Sequence, residues 1–157
     1  MKKKIVIFSV LLTVCMFLCV AAGCDSRFEL SENIIDDKYD NFYEIFVYSF
    51  FDSDGNGVGD LNGVTEKLDY IRGMGYTALW LMPISPSPSY HKYDVTDYKA
   101  VDPLYGSMSD FEDLVAAAHG KGIKVIIDLV VNHTSDQHPW FKAALTAAIK
   151  GDTSDPY

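Results

Sequence analysis

Hydrophobic positions along the chain change their period several times, and each change marks an element. Phe42-Tyr43-Glu44-Ile45-Phe46-Val47-Tyr48 is aromatic and β-branched, the composition of a strand. Leu61, Val64, Leu68 and Ile71 then recur at helical spacing, and Gly73 and Gly75 end that helix. Thr77 to Met82 reads as a second strand closed by Pro83. Phe111, Leu114, Val115 and Ala118 form one apolar stripe of a second helix, with Ser109 and Glu112 spaced as a capping box and Gly120 as its stop. Lys124 to Val131 is a nearly continuous apolar run, the pattern of a strand buried on both faces in a parallel sheet. The order β-α-β-α-β predicts an α/β domain.

The start of the chain follows a different logic. Lys2, Lys3 and Lys4 precede a long apolar run from Ile5 to Val20, and Ala21-Ala22-Gly23 leads into Cys24. A positive end, an apolar stretch and small residues before a cysteine resemble a bacterial lipoprotein signal. That resemblance implies a signal peptide over 1–23, cleavage before Cys24 and lipidation of its sulfur. The polar, acidic residues 24–40 then read as a tether and 41–157 as the folded domain. Cys15 and Cys19 fall within the signal, so the mature chain has one cysteine and no internal disulfide is expected. The implied location is extracytoplasmic, anchored to the bacterial membrane by lipid, or secreted.

Charge narrows the partners. The 157 residues carry 13 Lys+Arg against 22 Asp+Glu. Without the three leading lysines this becomes 10 against 22, a net charge of −12. A surface that acidic disfavours nucleic acid and electrostatic docking on anionic lipid, whereas hard cations such as calcium are natural small partners.

Three segments carry candidate chemistry, and each follows one of the strands. In Asp52-Ser53-Asp54-Gly55-Asn56-Gly57-Val58-Gly59-Asp60, side-chain oxygens recur at Asp52, Asp54, Asn56 and Asp60, and the carbonyl of Val58 offers a further ligand. The spacing resembles the start of an EF-hand loop, but Gly63 stands where the closing Glu belongs and a strand precedes it. It reads as a structural calcium loop, with an acidic turn lacking metal as the alternative. The long loop Pro83 to Ser107 contains Ser89-Tyr90-His91-Lys92-Tyr93-Asp94, and loops of this length in a compact domain are commonly functional. In Asp128-Leu129-Val130-Val131-Asn132-His133, alternation turns Asp128 inward, which is costly unless it is paired. His133 emerges at the strand end, where a lone histidine reads as structural or functional alike. In a (β/α) barrel all three segments would meet on the active face.

FYEIFVYSFFDSDGNGVGDLNG, GYTALWLMPISPSPSYHKYDVTDY and YGSMSDFEDLVAAAHGKGIKVIIDLVVNHTSDQHPWF occur in that order, and together they resemble the α-amylase family of glycoside hydrolases, family 13, from about Phe42 to Tyr157. The resemblance implies the N-terminal portion, about three βα units, of a TIM (β/α)8 barrel that stops at the B-domain insertion. It implies that Tyr93 stacks on the sugar beside the scissile bond, that His133 hydrogen-bonds that sugar, and that Asp128 supports the barrel centre. It also implies that Asn132 is a candidate ligand of a second calcium. Members that trim non-reducing ends commonly carry Asp three residues before the stacking tyrosine. Tyr90 stands there instead, which points to endo action on α-1,4 linkages of starch or maltodextrin. Family chemistry is retaining hydrolysis by two carboxylates on strands four and five, both expected beyond Tyr157. The resemblance thus implies an α-glucan-degrading hydrolase, present here as an N-terminal piece that is inactive alone. The alternatives are a non-catalytic carbohydrate-binding lipoprotein on the same frame and a glucan-transferring member of the family.

Overall fold

The computed structural model describes residues 39–151 and residue 154. The signal, Cys24 and the tether up to residue 38 lie outside the described residues. The elements are β1 (Phe42–Ile45), a 3-10 turn at Val47–Ser49, α1 (Leu61–Glu66), α2 (Leu68–Gly73), β2 (Ala78–Leu81), α3 (Met108–Gly120), β3 (Lys124–Ile127) and α4 (Pro139–Lys150). The three strands form one parallel sheet in the order β1-β2-β3. Phe42 aligns with Ala78 and Ala78 with Lys124, while Ile45 aligns with Leu81 and Leu81 with Ile127. This in-step register brings the three strands to an end at one level, so the loops that follow them emerge side by side. Among the described residues no helix is long and apolar enough to cross a membrane.

Leu61, Val64, Leu68 and Ile71 are all fully buried and form one cluster with Ile45, Leu79 and Leu81 of the sheet and Leu114 and Ala118 of α3. Burying an aliphatic side chain of this size contributes about 1.5–3 kcal/mol, so this layer is the main adhesive of the domain.

Four expectations from the pattern are corrected. The aromatic strand ends at Ile45, because the backbone then tightens into the 3-10 turn in which Phe50 N–H donates to Val47 O at 3.1 Å. The helix expected to run unbroken from Leu61 to Ile71 is divided at Lys67, whose φ of −96° and ψ of 3° lie outside the helical region. Two interactions favour the break. Thr65 Oγ1 donates to Leu61 O at 2.9 Å, a back-bond that bends helices, and the Lys67 ammonium sits 3.6 Å from the Phe51 ring centroid. The capping box is made two residues earlier than expected. Ser107 Oγ accepts from Asp110 N–H at 3.2 Å, and Asp110 Oδ2 accepts from Ser107 N–H at 2.7 Å. Both Ser-x-x-acid pairs are present in the sequence, and the chain selects the first by turning at Gly106, whose φ is +125°.

The fourth correction concerns β3. It is paired through Ile127 and not to Val131, while its parallel pairing with β2 agrees with the apolar pattern; Ile126 is 45% exposed, Leu129 68% and Val131 81%. Its other edge meets no further strand among the described residues, so side chains that suit a closed sheet stand in the open. The pattern reading also missed α4. Its signals were Pro139 in the first turn and Gly151, which closes the helix at φ +70°.

Candidate functional site

The three loops leaving the sheet build two clusters. The first is the acidic loop between β1 and α1. Asp52 Oδ1 accepts the amide N–H of Gly55 and Asn56, and Oδ2 that of Gly57 at 2.8 Å. These amides, chiefly that of Gly57, hold the Asp52 carboxyl below its ordinary pKa. Gly55 and Gly57 adopt φ of +79° and +90°, which let the backbone curl around the carboxylate. Asp60, at 6% exposure, accepts from Ser53 N–H and Oγ–H and caps α1 through Gly63 N–H at 2.6 Å. One oxygen each of Asp52, Asp54 and Asp60 lies within 4.8 Å of the others. Calcium bonds oxygen at about 2.3–2.6 Å, so opposite ligands of one ion stand up to about 5 Å apart, and the spacing fits. Asn56 Oδ1 accepts from Val58 N–H at 2.8 Å, which shapes the loop and leaves a second lone pair. A closing Glu at position 63 has no room, since a Cβ there would lie 2.0 Å from Phe51 O.

The second cluster joins the loops after β2 and β3. Tyr93 OH donates to Asp128 Oδ2 at 2.7 Å, and Trp80 Nε1–H donates to Asp128 Oδ1 at 2.7 Å. The inward carboxylate is therefore paired on both oxygens. The hydrogen bond to Asp128, helped by burial, pushes the Tyr93 phenol up to about 12. His133 Nε2 lies 3.1 Å from Tyr93 O, and its Nδ1 lies 3.3 Å from Asn132 Nδ2. Tyr98 OH bridges the carbonyls of Val130 (2.7 Å) and His133 (2.8 Å), fixing the turn that presents the histidine. Tyr93 is thus tethered at its phenol and at its backbone by residues of the β3 loop.

Around this centre Tyr90, 65% exposed, meets Phe46 and Tyr48 edge-on at 6.0 and 6.2 Å, and His91 lies 6.0 Å from the Tyr93 ring. A cleft of about 500 Å³ opens beside it, lined by Tyr98, Val131, Asn132, His133 and Trp140 among others. Its wall carries aromatic faces and imidazole and amide groups, a combination suited to a polyhydroxylated, partly apolar ligand.

Tyr93, Asp128, Asn132 and His133 are brought together, whereas Asp52, Asp54, Asn56, Val58 and Asp60 form their own cluster. Sequence reasoning missed Trp80 as a partner of Asp128. The register supplies the signal: Trp80 aligns with Ile126, so Asp128 two residues on lies on the same face. It also missed the buried pair of Lys92 and Asp102.

Comparison with known proteins decides the family. The alpha amylase catalytic domain matches residues 44–156. The chain belongs to the alpha-amylase family. It is 62% identical over 106 residues to Alpha-amylase 3 of Dictyoglomus thermophilum, covering 68% of this chain and 21% of that protein. It is 56% identical over 111 residues to Alpha-amylase SusG of Bacteroides thetaiotaomicron, covering 71% and 16%. Among solved structures, Eubacterium rectale Amy13B is 59% identical with a TM-score of 0.71, over 75% of this chain and 23% of that one. The chain therefore spans about a fifth of the length of the curated relatives it matches. Its parallel sheet with flanking helices is the N-terminal portion of the family's TIM barrel. Other relatives at about half identity include a trehalose-6-phosphate hydrolase of Bacillus subtilis and an amino acid transporter heavy chain of Rattus norvegicus.

Proposed function

We propose that the protein carrying this chain is a retaining, endo-acting hydrolase of α-1,4-linked glucan. The observation that carries the reading is the tethering of Tyr93, its phenol by Asp128 and its backbone carbonyl by His133, at the C-terminal end of a parallel sheet. The C-terminal strand ends are where barrels of this type hold substrate. In this reading Tyr93 stacks on a glucose ring and His133 Nδ1 or Nε2 reaches a sugar hydroxyl. Asp128 holds the phenol in place and is not the nucleophile. The nucleophile and the acid/base belong to strands four and five, outside residues 1–157, so the 157-residue chain alone does not cleave starch. Tyr90, standing where an acidic grip on chain ends would stand, supports endo action. Starch hydrolysis by the intact protein tests the reading: Tyr93→Ala and His133→Ala should each cut kcat/KM about 10²-fold, a few kcal/mol of lost transition-state contact. Near-normal hydrolysis by both variants would reject it.

The acidic loop is proposed to hold one structural calcium through Asp52, Asp54, Asn56, Asp60 and the carbonyl of Val58, and Asn132 is a candidate ligand of a second ion. The bound cation would offset most of the negative charge of three carboxylates that otherwise repel one another. Cys24 is proposed as a lipidated anchor, and recovery of an unmodified Cys24 peptide from secreted protein would refute it. A second reading is a non-catalytic carbohydrate-binding lipoprotein on the amylase frame. The relative named as a transporter heavy chain favours it, because a similar sequence there carries a name that is not that of a hydrolase. Product analysis separates the two: a binder retains maltoheptaose unchanged, a hydrolase shortens it, and a glucan-transferring member would also make longer chains.

A further inference from the structure

Lys92 lies between His91 and Tyr93, and its backbone is unusual: at φ +66° it is the one non-glycine residue with positive φ among the described residues. That conformation costs a residue with a Cβ about 1 kcal/mol or more, and it persists only where the surroundings over-determine it. The surroundings here are specific. The Lys92 side chain is 3% exposed and its Nζ meets Asp102 Oδ2 at 2.5 Å, with the Asp102 side chain 7% exposed. The ammonium also lies 5.4 Å from the Tyr105 ring centroid. Asp102 is itself fixed: its N–H donates to Ile84 O at 2.8 Å, just beyond β2, and its Oδ1 accepts from Leu104 N–H at 2.9 Å.

Two further contacts show what the left-handed residue does. Tyr93 N–H donates to His91 Nδ1 at 3.2 Å, and the two rings lie 6.0 Å apart at 35°. Lys92 is buried, whereas His91 is exposed and the half-buried Tyr93 reaches Asp128 with its phenol, so the reversal of the backbone at Lys92 separates the lysine from the two neighbouring rings. Buried ion pairs are weak sources of net stability, since desolvation offsets most of the attraction. A charged side chain buried in a strained backbone position is better accounted for by geometry than by stability.

We propose that Lys92 is a positioning residue, and that its buried pair with Asp102 locks the left-handed turn that presents the Tyr93 ring to substrate. The proposal deepens the sugar-site reading and rests on it for its consequence in catalysis. The locking itself can be measured without sugar.

The test uses the intact protein and two variants. Lys92→Met with Asp102→Asn removes both charges, keeps similar volumes and retains an acceptor for Leu104 N–H. Asp102→Asn alone keeps the lysine and weakens its partner. The readouts are the melting temperature, kcat and KM on maltoheptaose, and the titration of Tyr93 followed by carbon-13 NMR of its phenol carbon. The expected result for the double variant is a near-normal melting temperature and a kcat at least tenfold lower. Its Tyr93 titration should move back from about 12 towards that of a free tyrosine as the hydroxyl leaves Asp128. Asp102→Asn should show a smaller shift in the same direction. An unchanged Tyr93 titration in whichever variant folds would overturn the proposal. Unchanged titration with lower activity would also overturn it, because the pair would then act elsewhere. If Tyr93→Ala leaves turnover unaffected while the titration shifts as expected, the locking stands and the sugar reading fails.

Discussion

The loop after β1 and the site after β2 and β3 are both polar clusters at the same end of one sheet, yet they are held in different ways. In the acidic loop every side-chain hydrogen bond of Asp52, Asp54 and Asn56 spans two to five residues, and those from Ser53 to Asp60 span seven. In the site around Tyr93 the bonds that matter span 32 to 48 residues. The acidic loop is folded by its own neighbours. The Tyr93 site exists only when β2 and β3 pair in the correct register. The first should depend on what binds it, and the second on the sheet beneath it.

The largest expected effect strikes the long-range cluster. Asp128→Ala deletes the acceptor of both Trp80 and Tyr93, two bonds to a charged group worth about 1.5–3 kcal/mol each. In the intact protein kcat/KM on starch should fall by about 10³-fold with Asp128→Ala, beyond the loss expected from Tyr93→Ala. A loss confined to tenfold, measured by reducing-sugar release, would mean the phenol is placed by something other than Asp128.

The acidic loop answers a different perturbation. With ion at about a hundredfold above Kd, preferential binding to the folded state contributes about 2.7 kcal/mol. EDTA should therefore lower the melting temperature, and Asp52→Ala with Asp54→Ala should remove most of that sensitivity. Equal sensitivity in the double variant would move the important ion to another place, with Asn132 the next candidate.

Alkaline titration gives a third contrast. The folded state raises the Tyr93 pKa to about 12 from an ordinary 10.0. The stabilisation is thus complete below pH about 10 and disappears as pH rises through about 12. Tyr93→Phe should be less stable than the parent at pH 8 by about 1 kcal/mol, with the gap closing towards pH 12. A pH-independent gap in denaturant titrations would rule out the Asp128 bond as its source. Asp52→Ala with Asp54→Ala should leave this profile unchanged, because none of the acidic-loop residues touches Tyr93 or Asp128.

The smallest effect separates two overlapping cap signals. Ser107→Ala should cost about 1 kcal/mol and Ser109→Ala only a few tenths. The reverse order in thermal melts would restore the capping box that the sequence pattern first suggests.

Local chemistry was legible because its causes are local. The alternation of oxygens from Asp52 to Asp60, the stripe Leu61-Val64-Leu68-Ile71 and the strand runs each act over a few residues, and each reappears as a cluster, a buried layer or a parallel strand. The need for Asp128 to be paired could also be read, since an ionised inward carboxylate among apolar residues is costly without a hydrogen-bond partner. Its partners could not. Trp80 and Tyr93 reach it only because β2 and β3 align Trp80 with Ile126, and register is a property of two strands at once. The break at Lys67, the choice of Ser107 over Ser109 and the left-handed turn at Lys92 were likewise decided in three dimensions. Phe51 draws Lys67 out of the helix, Gly106 turns the chain before the cap, and Asp102 holds the lysine in the interior. Composition and period determined which segments would be strands, helices and acidic loop. Only the packed sheet decided which distant side chains would face one another, because a hydrogen bond or ion pair forms where two surfaces meet and neither segment specifies that meeting alone.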